Sequence, residues 1–195
     1  PDVVDPCRVL PGPKAAADGV VLEPPGARSG DCLVFLHGGA FTDGPVDCHW
    51  AMLARVCERA GISGVMVDYR LAPENPYPAA LEDALAVCRY LRQASPVRRL
   101  YLMGDSAGGG LALSAVLALM DAGEVVPEKL VLLSPWLDLT LSNPEIEEIR
   151  EYDQLLRKEG LMEAGRLYAG GEDPGHYLLS PVNGTFEGLP PTLVL

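Results

Sequence analysis

Ser106 stands between Gly104 and Gly108 in "RLYLMGDSAGGGLALSAVLALM" (99–120), where an apolar run gives way to a long stretch of small residues. Gly-x-Ser-x-Gly suits a sharp strand-to-helix turn that exposes the serine oxygen, because neither glycine carries a Cβ to block the bend. At a helix N-terminus, unpaired backbone N–H groups lie ready to stabilise a developing oxyanion. Such a serine is a nucleophile, and a serine nucleophile needs a base. A second cluster, "LHGGAF" (36–41), has the form of a loop whose N–H groups point at the oxygen of a reacting carbonyl. His37 precedes the serine and belongs to that loop, so it reads as holding the loop by a hydrogen bond. Phosphate chemistry is excluded: "GDSAGGG" lacks a lysine in the phosphate-loop position, and no G-x-G-x-x-G follows the first strand.

These residues need elements to position them. "CLVFLHG" (32–38), "GVMVDY" (64–69), "RLYLMG" (99–104), "KLVLLSP" (129–135) and "PTLVL" (191–195) predict strands buried on both faces, and "VVLE" (20–23) an edge strand. Helical periods fall at 47–60, 78–94 and 107–122. In the second, Pro78 suits the first turn, and Leu81, Ala84, Leu85, Cys88 and Leu91 form an apolar stripe. This alternation predicts an α/β fold with a mostly parallel, doubly wound sheet and right-handed crossovers. Ligands on such sheets sit at the carboxyl ends of the strands, where the serine and the glycine loop both fall. Between residues 141 and 171 the chain turns charged and predicts two helices, an insertion placed to act as a lid over a single domain.

The totals bound the partners. With 195 residues, 48% of them hydrophobic, the chain can build one core. A net charge of −12 repels nucleic acid and anionic membrane alike. The uncharged run Ser106–Met120 is too short to span a bilayer. Cysteines at 7, 32, 48, 57 and 88 are odd in number and lack C-x-x-C spacing, which predicts reduced thiols of a cytoplasmic protein. With three scattered histidines and no cysteine pair, neither a metal nor another cofactor is expected.

"HGGAF", "VDYRLAPE" (67–74), "YPAALED" (77–83), "GDSAGG" (104–109) and "LLSPWLDL" (132–139) occur in the order and spacing of the hormone-sensitive-lipase-like family of α/β-hydrolases, which this chain resembles from about Cys32 onward. The resemblance implies hydrolysis of small carboxylic esters of short acyl chains through an acyl-enzyme. It implies Ser106 as the nucleophile and the N–H groups of Gly38, Gly39 and Ala107 as oxyanion donors. Ala40 replaces the family's usual third glycine and narrows the acyl site. Asp68, Arg70 and Glu74 match a scaffold motif, expected to be a buried ion-pair network. A homodimer joined through a final strand or helix is compatible with the resemblance.

In this fold the chain order is serine, then acid, then histidine. After Ser106 stands one histidine, His176, with Asp138 and Asp173 as candidate acids. The family carries a similar D-P-x-H segment whose histidine is not catalytic, so His176 reads as a loop residue. The catalytic Asp and His, the last strands and the C-terminal helix are expected beyond Leu195, making this chain a portion of a longer esterase. Two alternatives stand beside it: a non-catalytic small-ligand-binding member of the same fold, and an inactive fragment lacking the catalytic Asp and His. The lid residues Tyr152, Leu155, Leu156, Leu161, Met162 and Tyr168 fit either an apolar pocket or helical core packing.

Overall fold

A computed structural model describes residues 7–10, 19–27, 30–94, 97–149, 151–153 and 155–195. Among the described residues seven strands form one sheet: β1 (Cys7–Leu10), β2 (Gly19–Leu22), β3 (Asp31–Leu36), β4 (Ser63–Val67), β5 (Arg99–Asp105), β6 (Lys129–Leu133) and β7 (Thr192–Val194). Their order is β1-β2-β4-β3-β5-β6-β7. The first two pairings are antiparallel, and every pairing from β4 to β7 is parallel. The α/β sheet expected from the alternation of periods is therefore present, with an antiparallel margin added at one side. β1 was not anticipated.

Helices α1 (Asp47–Ala60), α2 (Ala79–Ala94) and α3 (Ser106–Asp121) fall within a residue of their predicted bounds. They cover both faces of the sheet. Leu53 and Cys57 of α1 pack with Leu33, Phe35 and Met66 on one side. The α2 stripe and the small-residue face of α3 pack with Val34, Leu36, Leu100 and Leu102 on the other. Strand burial differs from expectation at one margin. All six residues of β3 are buried, as a central parallel strand requires, but all three of β7 are exposed. β7 pairs in parallel with β6, Leu130 opposite Thr192 and Leu132 opposite Val194.

The expected ion-pair network is also different. Asp68 and Glu74 are exposed. Arg70 instead pairs with Glu82 at 3.3 Å and with Asp83, whose side chain is fully buried and accepts from the guanidinium at 2.9 to 3.1 Å and from the Arg70 N–H at 2.9 Å. The reason is topological. Arg70 lies just past the end of β4, and α2 returns across the sheet with Asp83 one turn in, whereas Asp68 points to solvent. Replacing Asp83 with alanine leaves a buried backbone donor unmet, while the half-exposed guanidinium can turn to water. The expected cost is about 1–3 kcal/mol, below that of breaking a fully buried pair, read from urea denaturation midpoints.

The thiols of Cys32, Cys57 and Cys88 are buried and free, and burial pushes them up to about 12, 11 and 12. They are packing groups, not nucleophiles. Cys7 falls in β1, and its side chain lies outside the described residues. Among the described residues no cluster of metal-ligating side chains occurs, and no helix is long and apolar enough to cross a membrane.

Among the described residues of 141–171 lie two helices, α4 (Ile146–Ile149) and α5 (Lys158–Ala169). α5 docks at the carboxyl end of the sheet. Its Tyr168 stacks on Phe41 with ring centroids 3.7 Å apart and accepts the Tyr77 N–H through its carbonyl at 2.7 Å. Of the apolar residues noted in this segment, Tyr168 is core, Leu161 is half-buried, and Tyr152, Leu155, Leu156 and Met162 are exposed.

Candidate active site

β3 and β5 run side by side in parallel, with Leu36 opposite Gly104. This register brings the residues that follow each strand together: His37 to Phe41 on one side, Asp105 and Ser106 on the other. Ser106 takes φ 50°, a left-handed conformation costly for a residue with a Cβ, at the first position of α3. The turn closes because Gly104 and Gly108 have no side chains. A Cβ on Gly104 would strike the Gly108 carbonyl, and one on Gly108 the carbonyls of Leu36 and His37. Ser106 is half-buried, its carbonyl accepts the Trp136 N–H at 2.8 Å, and among the described residues its hydroxyl has no partner.

The glycine loop reverses direction through positive φ at Gly39, Ala40 and Phe41 (128°, 53° and 65°). Its turn is closed by the Gly39 carbonyl, which accepts from the N–H groups of Thr42 (3.0 Å) and Asp43 (2.9 Å). The three expected oxyanion donors are not equivalent. The Gly38 N–H donates to Asp105 Oδ1 at 2.8 Å and is therefore engaged. Among the described residues the N–H groups of Gly39 and Ala40 meet no acceptor. Ala107, fully buried, is the second residue of α3, where an N–H precedes the first intrahelical bond. N–H groups without an acceptor among the described residues thus include those of Gly39 and Ala40, while that of Gly38, also expected as a donor, is taken by Asp105.

His37 is fully buried, stacked 4.2 Å from Tyr69, with Nδ1 2.7 Å from the Gly38 carbonyl. Burial lowers its pKa below the ordinary value, outweighing the stabilising bond to Gly38, which favours a neutral ring. Tyr69 in turn donates its hydroxyl to the His37 carbonyl at 2.5 Å. This is the loop-holding role expected of His37. His176 is exposed, its N–H bonded to the Asp173 carbonyl at 2.9 Å and its Nδ1 accepting from Leu178 N–H at 3.3 Å. Asp173 accepts from Gly175 N–H, and both oxygens of Asp138 accept from Thr140 and Ser142. Burial works against the charged form of Asp138, but those four bonds prevail and hold its pKa below the usual range. Both carboxylates shape turns, and among the described residues no histidine bonds to Ser106.

The structure adds a residue that sequence reading passed over. His49, in the first turn of α1, places Nε2 3.3 Å from Asp105 Oδ2. A histidine at a helix start resembles any surface residue, and its partner lies 56 positions away. The usable signal was Asp105 itself: a carboxylate beside the serine, at the end of a buried strand, needs donors.

A family model described as "alpha/beta hydrolase fold" matches residues 33–195. The chain belongs to the α/β-hydrolase family. It is 39% identical over 171 residues to an acetyl-hydrolase of Streptomyces hygroscopicus, covering 87% of this chain and 57% of that protein. It is 38% identical over 165 residues to an esterase of Acinetobacter venetianus, covering 83% and 54%. A crystal structure of an esterase from the bacterial hormone-sensitive lipase family superposes with a TM-score of 0.90 at 36% identity, over 100% of this chain and 66% of that one. These likenesses place this α/β-hydrolase in the hormone-sensitive-lipase-like branch that its motifs resemble. The chain spans a little over half the length of these curated relatives.

Proposed function

We propose that this α/β-hydrolase is a serine carboxylesterase acting on small esters of short acyl chains. The observation that carries the reading is the juxtaposition, across adjacent parallel strands, of Ser106 at φ 50° with a loop whose Gly39 and Ala40 N–H groups are open. In this mechanism Ser106 Oγ attacks the ester carbonyl and its proton passes to a base. The N–H groups of Gly39, Ala40 and Ala107 take up the charge that develops on the carbonyl oxygen. The tetrahedral intermediate expels the alcohol, which takes the proton, and water then releases the acid from the acyl-serine.

Among the described residues no histidine bonds to Ser106: His37 holds the glycine loop through Nδ1, His49 faces Asp105, and His176 sits in an exposed turn. By the family's order of serine, acid and histidine, the base and the acid that orients it follow Ser106 in the chain. α5 and its neighbour α4 form the lid, seated by Tyr168 on Phe41. A homodimer and a cytoplasmic location are part of the same proposal. Preference for short acyl groups is supported by the Ala40 methyl in the tight loop and by relatives named acetyl-hydrolase and ethyl acetate hydrolase. The test is a series of p-nitrophenyl esters. The expected kcat/KM is highest for acetate or butyrate and falls about tenfold or more by decanoate, since each unaccommodated methylene removes binding energy at the acyl site. A maximum at decanoate or beyond would overturn the short-chain assignment.

A further inference from the structure

Asp105 occupies the N-cap position of α3, where an aspartate ordinarily accepts from the N–H groups of the second or third helical residue. Here it makes no capping bond. Its two oxygens are turned away from the helix. Oδ1 accepts the Gly38 N–H at 2.8 Å, and Oδ2 lies 3.3 Å from His49 Nε2. His49 Nδ1 accepts the Val46 N–H at 3.0 Å, so the hydrogen-bond pattern assigns the ring proton to Nε2 and directs it at Asp105. Both side chains are largely shielded, with 12% of His49 and 23% of Asp105 exposed.

We infer that His49 and Asp105 are positioning residues for the oxyanion loop, drawing one carboxylate off the start of α3 and onto Gly38. This inference rests on the proposal that Ser106 is the nucleophile. The arrangement does two things. It ties the loop after β3 to the turn after β5 through Gly38, which sets the Gly39 and Ala40 N–H groups against Ser106. It also keeps the first N–H groups of α3 open. A capping bond from Asp105 to Ala107 or Gly108 would occupy a donor that the oxyanion needs and would set a negative charge beside the one that develops there. Gly38 permits the close approach, because a Cβ there would overlap the Asp105 carboxylate. Neither His49 nor Asp105 touches a reacting atom in this scheme. Their effect passes through the loop.

The test compares wild type, His49→Ala and His49→Gln in the intact protein, with active sites counted by fluorophosphonate titration. The readouts are kcat per titrated site, KM, and affinity for a trifluoromethyl ketone that mimics the tetrahedral intermediate. For His49→Ala, kcat is expected to fall roughly 10- to 100-fold with KM within about threefold, as for a catalytic group misplaced by a fraction of an ångström to an ångström. Ketone affinity is expected to fall by the same factor as kcat/KM, and His49→Gln, which returns a donor to Asp105, to recover most of the loss. Asp105→Asn keeps the shape, removes the charge that His49 answers, and gives the same direction of change if His49→Ala folds poorly. Wild-type kcat per site and ketone affinity in His49→Ala, even with a lowered Tm, would overturn the inference and leave His49 a helix-start residue only. A wild type that neither hydrolyses esters nor reacts with the fluorophosphonate would instead overturn the Ser106 proposal, and this inference with it.

Discussion

Ser106→Ala is expected to lower kcat/KM for ester hydrolysis by about 10⁴-fold or more, the scale on which serine hydrolases lose activity without the nucleophile. Little else should change. The hydroxyl has no partner among the described residues, and the side chain is half-buried at a position where alanine fits the same space. Stability is therefore expected to stay within about 0.5 kcal/mol of wild type, since no buried group is left unpaired. Binding of a competing carboxylate or an unreactive substrate analogue is expected to persist, because the N–H groups of the loop are unaltered. Initial rates, a thermal melt and a displacement titration on the same preparation separate these effects. Retained turnover in the alanine variant would place the chemistry elsewhere.

Gly108→Ala is expected to destabilise the fold by about 1–3 kcal/mol, the usual cost of forcing atoms into a filled site. This sign is opposite to the general rule, by which glycine in a helix interior is replaced by alanine with a gain of up to about 1 kcal/mol. The difference lies in what the new Cβ meets. At Gly108 it would drive into the backbone carbonyls of Leu36 and His37, which are the end of β3 and the start of the glycine loop. Backbone cannot rotate aside as a side chain can, so α3 must shift away from β3, and esterase activity is expected to fall with stability. Gly160, in the first turn of α5, has nothing within 4 Å of its hypothetical Cβ. Gly160→Ala is the matched control, expected to be neutral or slightly stabilising. Urea denaturation of the two variants reads the contrast directly, and equal midpoints would contradict the packing argument.

Much of this was legible from residue types. The strand and helix periods survive because a parallel sheet covered on both faces demands continuous apolar strands and one-sided helices. Leu81, Ala84, Leu85, Cys88 and Leu91 are buried as their spacing required. Gly104 and Gly108 were legible because close backbone approach leaves no alternative residue. What escaped sequence reading depends on side-chain direction across long separations. Arg70 was read with neighbours in its own motif, yet it turned to Asp83, thirteen residues on, because α2 returns over that end of the sheet. The engagement of the Gly38 N–H follows from the β3–β5 register and the rotamer of Asp105, neither of which a linear motif encodes.

The central claim, that Ser106 is an activated nucleophile, is tested most directly by treating the intact protein with a fluorophosphonate, recording its mass, and mapping the adduct by peptide sequencing. One adduct per chain, on Ser106 and abolished by Ser106→Ala, is the predicted result, because only a serine deprotonated by a nearby base and facing an oxyanion hole reacts. A folded protein that acquires no adduct, or acquires it on another residue, would contradict the assignment. The first of those outcomes would mark the chain as a ligand-binding member of the α/β-hydrolase family.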